Sequence, residues 1–203
     1  HGQEQGKQSV ESGTQIDGLR GLDLIEKDKS VQSAKSLKSA ILTSDAVKLG
    51  NVCEINPRRP VIKRNDDTET SFIPMAAVND ETGTLKRIEI KSYSEVKKGY
   101  TWFADNDVIF AKITPCMENG KQAIVRNLIE GFGFGSTEFH VLRASNVILP
   151  EWIHLYVRQQ TVLDEAARHF TGAVGQQRVP QDFLANIKIP LPPLAIQKEI
   201  ADY

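Results

Sequence analysis

Cysteine is scarce. Cys53 and Cys116 are the only two in 203 residues, far apart and outside any C-x-x-C pair. That excludes a disulfide-stapled scaffold and a zinc ribbon, and it predicts two buried or partly buried thiols in a reducing cytoplasm. Histidine is equally thin: His1, His140, His154 and His169 fall in no H-x-E or HExxH spacing, so metal catalysis has no ligand set. No run of about 18 apolar residues occurs, so no helix is expected to cross a membrane. The opening HGQEQGKQSV lacks the apolar stretch of a signal peptide. An excess of one charge is missing too, with 25 Lys and Arg against 26 Asp and Glu. A uniformly basic nucleic-acid coat and an acidic solvating tail are both excluded. At 40% hydrophobic and 25% charged residues, the chain reads as globular: one domain, or one domain with an appendage.

The constellations of catalysis are also missing. Gly131, Gly133 and Gly135 do not make a dinucleotide loop, because strand-like TEFHVLR follows them where a helix is needed. They predict a bend that brings backbone close to something else. Asn56-Pro57 starts like the Asn-Pro-Pro-aromatic motif of adenine methyltransferases, but Arg58 and Arg59 stand where the second proline and the aromatic belong. Asp105, Asp107 and Glu118 lie in turns with no nucleophile nearby and read as solvated carboxylates. The expectation is a non-enzyme without a cofactor.

What is present is mostly β text between helices. Residues 1–29 are polar and rich in Gly, Gln and Ser, predicting a flexible segment. Over residues 30–46 comes an amphipathic helix with a linker, its stripe made of Val31, Ala34, Leu37, Ile41 and Leu42. VKLGNVCEI predicts a short strand pair or a strand-turn, followed by an exposed basic loop from Pro57 to Arg64 and a polar stretch, NDDTETS, with no core former. SFIPMAAVN predicts an edge or irregular strand because of Pro74. LKRIEIKSY alternates as a half-buried strand, and DVIFAKI, KQAIV and TEFHVLR are strands. PEWIHLYVRQQTVLDEAARHF predicts one long helix with Trp152, Leu155, Tyr156, Leu163 and Ala167 on its apolar face. A Gly-containing loop, a short helix opened by Pro180, extended NIKIPLPPL and a last helix complete the chain.

Basic and amide residues matter by position. Arg58, Arg59, Lys63 and Arg64 share one loop. Lys112 and Lys121 flank a loop holding Thr114 and Asn119, and Gln176, Gln177 and Arg178 follow a Gly-x-x-Gly turn. Such side chains supply the donors and acceptors that meet phosphates and base edges.

The text TGAVGQQRVPQDFLANIKIPLPPLAIQKEIADY resembles the end of a target recognition domain in the specificity subunits of Type I restriction-modification enzymes. The Gly-Gln turn (Gly172 to Gln177), the Ile-Pro-Leu-Pro-Pro-Leu segment (189–194) and Gln197 carry the likeness. VKLGNVCEINP, DVIFAKITPCMENGKQAIV and GSTEFHVLR, in that order, are similar to the family's opening strand, its strand-loop-strand and its Ser-x-Glu strand.

The resemblance implies an α/β (α+β) fold with a twisted, mainly antiparallel β-core, small flanking helices and a helix at each end. It assigns residues 47–194 to the recognition domain and 195–203 to the start of a truncated spacer helix. It implies one recognition domain that reads half of a bipartite target in double-stranded DNA, in the cytoplasm, without a cofactor of its own. Its implied partners are a DNA adenine methyltransferase subunit, which uses AdoMet, and a restriction (translocase-endonuclease) subunit, which uses ATP. Implied readers are Lys112, Thr114, Asn119, Lys121, Ser136, Thr137, Gln176, Gln177 and Arg178, with Arg58, Arg59, Lys63 and Arg64 on phosphates. Two alternatives stay open: the recognition domain of a fused methyltransferase-specificity polypeptide, or a docking module that touches no DNA.

Overall fold

The computed structural model of the chain describes residues 33–173 and 175–202. The expected polar segment 1–29 and Val31 lie outside the described residues. The described residues divide into two units, one ending at Thr43 and a second beginning at Ser44. In the first unit, residues 33–42 are helical (α1). The predicted stripe is narrower than drawn: Leu37 is buried and Ile41 half-buried, whereas Ala34 and Leu42 are exposed.

Most of the second unit is built on two four-stranded sheets. One sheet runs β2-β9-β6-β7, with β2 at Cys53–Ile55, β9 at Phe139–Ala144, β6 at Val108–Ala111 and β7 at Gln122–Ile124, all antiparallel. The other runs β4-β3-β8-β5, with β4 at Glu89–Ser92, β3 at Glu69–Ile73, β8 at Phe132–Gly135 and β5 at Thr101–Ala104. Only its β3–β8 pairing is parallel. A shared apolar core takes Ile73 and Phe103 from the second sheet and Ile109, Ala123, Phe139 and Val141 from the first. Burying side chains of this size stabilises by about 1.5–3 kcal/mol each. A two-stranded ladder of β1 (Ala46–Lys48) and β10 (Lys188–Pro190) ties the opening of the unit to its closing segment.

Several expectations shift. VKLGNVCEI forms β1, a helical turn α2 (Leu49–Val52) and β2. NDDTETS is not wholly loop: Thr70 and Ser71 are buried in β3. Their hydroxyls are satisfied there, Thr70 Oγ1 donating to Thr68 O and Ser71 Oγ accepting from the Ile129 amide. Pro74 ends β3 instead of interrupting it, so β3 is an interior strand between β4 and β8. The alternating LKRIEIKSY is continuous strand only from Glu89 onward, Leu85 forming a lone bridge to Val78, and α3 (Tyr93–Val96) overlaps its end.

The glycine bend is a strand. In β8, a Cβ on Gly133 would sit 2.8 Å from Ser71 O, and one on Gly135 2.5 Å from Ile73 O. Both would also press on the Phe103 ring. The glycines therefore admit a neighbouring strand and a phenyl ring, not a ligand.

The long helix is two helices. α4 (Pro150–Val157) and α5 (Gln160–Arg168) are separated at Arg158 and at Gln159, whose ψ of 135° is extended. The Arg158 guanidinium is held by Gly120 O at 2.7 Å, Asp80 O at 3.1 Å and Glu81 O at 3.0 Å. The break changes the face: Trp152, Ile153, Val157, Val162, Leu163 and Ala166 are buried, while the expected Leu155 is exposed. α6 (Gln181–Asn186) follows Pro180 as expected, and α7 (Leu194–Ala201) closes the described chain.

Gln197 of α7 is fully buried. Its Oε1 accepts from the Leu149 amide at the start of α4 (2.8 Å), and its Nε2 donates to Pro192 O (2.8 Å) and Val147 O (3.1 Å). Both donors of the amide are used, as burial requires.

Candidate nucleic-acid interface

Three separate segments meet at one place. The Lys112 amide donates to Glu138 O (2.9 Å), the Val179 amide to Lys112 O (2.9 Å), and the Thr114 amide to Gln177 O (3.0 Å). Bridges pair Arg178 with both Ile113 and Thr171. The end of β6, the turn before β9 and the Gly-Gln turn are thus stitched edge to edge. The stitching brings together Lys112, Thr114, Ser136, Thr137, Gln176, Gln177 and Arg178, seven of the thirteen expected residues.

Arg178 is engaged within this cluster. Its Nε and Nη2 donate to the two oxygens of Glu138 at 2.8 and 2.7 Å, and its Nη1 donates to Gln176 O at 2.8 Å. The bidentate bond from Arg178 holds the Glu138 carboxyl below its ordinary value, and Glu138 in turn raises the Arg178 guanidinium. Lys112 stands beside the pair, its ammonium lowered by burial. Thr114 Oγ1 donates to Glu118 at 2.5 Å. Ser136 Oγ accepts from the Glu138 amide at 3.2 Å and so shapes the turn, while Thr137 and Gln176 are exposed.

Two other expected readers lie farther along the same loop. Lys121 Nζ donates to Val78 O at 2.9 Å, an internal tie between loops. Asn119 is exposed on the 114–120 loop, where its amide donates to Pro115 O.

The basic loop is not free surface throughout. Ile62 packs against the cluster formed by Phe72, Tyr93, Val96 and Phe134. Arg64 has a side chain only 4% exposed, lies 4.5 Å over the Phe132 ring, pairs with Glu130 and donates to Thr70 Oγ1 at 3.0 Å. Arg59 donates to Lys97 O at 2.5 Å, near the Phe134 ring. Arg58 and Lys63 are exposed.

Behind the stitched segments sits a polar knot. Asn56, at φ 54°, donates from Nδ2 to His140 Nδ1 (3.0 Å) and to Gln181 Oε1 (2.9 Å), and accepts from the Val141 amide (3.0 Å). His140 Nε2 donates to Val179 O at 2.8 Å, which leaves Nδ1 as the acceptor. Burial lowers the His140 imidazole, so it stays neutral and structural. Asp107 corrects another expectation. It is a buried turn carboxylate, bound by Arg143 Nε (2.8 Å) and Nη2 (2.7 Å) and by the Ala104 amide (2.7 Å). Cys53 is buried with its thiol pushed up to about 12, chiefly by desolvation, and Cys116 is partly buried. Among the described residues, no group of three or more His, Cys, Asp or Glu gathers as a metal site.

Residues 43–203 match the Type I restriction modification DNA specificity domain. The chain belongs to that family. Two Escherichia coli proteins are similar to it over most of its length. The Type I restriction enzyme EcoAI specificity subunit is 42% identical over 153 residues, 75% of this chain and 26% of that protein. The EcoEI specificity subunit is 41% identical over 155 residues, 76% of this chain and 26% of that protein. The chain thus spans about a quarter of the length of these relatives. A crystal structure of the HsdS subunit from Thermoanaerobacter tengcongensis shares the fold, with TM-score 0.62 and 24% identity over 78% of this chain and 40% of that one. Membership makes the chain a DNA target recognition component and not a catalytic one.

For a specificity domain, the informative residue missing from the sequence reading is Glu138. A usable signal was there: the Ser136-x-Glu138 motif at the head of β9 is a turn in which the serine hydroxyl accepts from the glutamate amide. That it grips Arg178, 40 residues on, follows only from the fold.

Proposed function

We propose that this chain reads one half of a two-part target in double-stranded DNA. In doing so it would direct the methyltransferase and restriction subunits of a Type I system in the cytoplasm. The carrying observation is the convergence of Lys112, Thr114, Gln176, Gln177 and Arg178 from separate segments, fixed by backbone bonds. Amide and guanidinium groups so gathered suit adenine and guanine edges, and a rigid backbone fixes where they are presented. Arg58, Arg59 and Lys63, on the separate basic loop, suit phosphates, which position without reading sequence. Neutral composition fits weak non-specific affinity, leaving further contacts to partner subunits.

The test is selection by the full chain from a pool of randomised duplexes. Enrichment of a single uninterrupted short block is the expected result. No enrichment, or a two-part motif recovered by the one chain, sinks the half-target reading. Co-purification with the methyltransferase subunit of its own system tests the partner assignment; failure to associate removes it.

A further inference from the structure

Arg178 has five N–H donors, and three are spent inside the protein: two on Glu138 and one on Gln176 O. One N–H remains on Nη1 and one on Nη2. The arginine side chain is 41% exposed, while that of its acidic partner is more covered at 24%. The acid is itself anchored: its amide bonds Ser136 Oγ, its carbonyl takes the Lys112 amide, and β9 begins at the next residue. A planar fork gripped along one edge has little freedom to rotate.

We propose that Glu138 is a positioning residue for base recognition. Its carboxylate fixes Arg178 so that the two remaining donors, on adjacent nitrogens, are presented to a guanine. This rests on the half-target reading above and adds the base and the residue that sets the geometry. Guanine presents two acceptors, N7 and O6, on its major-groove edge, and no other base offers a matching pair there. Lys112 completes the arrangement, because a second cation beside Glu138 keeps the carboxylate ionised when DNA phosphates approach.

The prediction runs against simple charge repulsion. Removing an acid near DNA should tighten binding to every sequence alike. A positioning acid behaves otherwise: its loss lowers discrimination at one base pair, even where affinity for unrelated duplex rises.

The experiment compares the full chain with Arg178→Ala, Glu138→Ala and Glu138→Gln in randomised-duplex selection, then measures binding to the best site and to its single-base variants. All three variants should lose preference at the same guanine position, by roughly tenfold or more. Glu138→Gln, which keeps the shape and one acceptor, should fall between wild type and Glu138→Ala. Combining Glu138→Ala with Arg178→Ala should be no worse than Arg178→Ala alone. Thermal midpoints, read alongside, should stay near wild type. Uniform tightening by Glu138→Ala with an unchanged preference profile overturns the proposal. So does loss at a base pair other than the one Arg178→Ala affects, or an Arg178→Ala that keeps its preference. A wild-type chain that enriches no motif breaks the half-target reading itself, a different failure.

Discussion

Two arginine-glutamate pairs in this domain have opposite polarity. At Arg64–Glu130 the arginine side chain is 4% exposed and the acid 65%; at Arg178–Glu138 the arginine is 41% exposed and the acid 24%. In the first, the cation is foundation: it stacks on Phe132, bonds Thr70 and leaves the carboxylate at the surface. In the second, the acid is foundation and the cation faces outward. Both arginines come from stretches punctuated by Gly or Pro, PRRPVIKR in one case and GAVGQQRVP in the other. The difference teaches that which partner is anchored, not the count of positive residues, decides which charge is left facing outward.

A third pair marks the extreme of the series. Asp107 is 2% exposed under Arg143, which lies 4.8 Å over Trp102. Asp107→Ala should cost about 3 kcal/mol or more in chemical unfolding, because it strands a half-covered cation and the Ala104 amide. Arg64→Ala should come next, at about 2 kcal/mol, through lost packing and cation–π contact. Its base preference should stay wild-type in duplex selection; a shift there would erase the contrast between the two pairs. Arg178→Ala should do the reverse, lowering the unfolding midpoint only slightly at neutral pH and losing roughly ten- to hundredfold discrimination at one base pair. Replacing Arg58 and Arg59 together by Ala should lower the log–log salt slope of binding by about 1.8, equally for all sequences, if each meets one phosphate. The smallest effect is in pH. The Glu138 carboxyl is held below its ordinary 4.5 by Arg178, so the stability it lends is present above that value and lost as pH falls through the depressed one. The stability gap between wild type and Arg178→Ala should therefore close on acidification, as read by melting curves from about pH 6 to pH 3.

Much of the fold was legible where local pattern and tertiary burial agree. The apolar DVIFAKI run is β6, TEFHVLR is β9, and Pro180 opens α6. Legibility fails where a distant group decides. The break between α4 and α5 coincides with Arg158 held by carbonyls 38 to 78 residues away, and helical periodicity carries no trace of that. The β8 glycines look like a bend because nothing local announces Phe103 and β3 beside them. At the interface, the grouping of Lys112, Thr114 and the Gly-Gln turn was accessible through family likeness. The charge state of that group was not. Glu138 and Glu130 lie far in sequence from the arginines they hold, and Lys121 looks like a reader until its ammonium is found on Val78 O.

The buried amide of Gln197 gives α7 a fixed heading. Three hydrogen bonds from one side chain in the first turn of that helix tie it to Pro192, to Val147 and to Leu149 at the cap of α4, a helix that itself packs on the β-core. An α-helix turns 100° and advances 1.5 Å with every residue. Anything carried farther along such a rod inherits both its pitch and its aim from this clamp. A small tilt at Gln197 would be magnified in proportion to distance, as at the pivot of a compass arm. The bearing of the helix is therefore surveyed from within the DNA-reading domain, by a side chain that never reaches solvent.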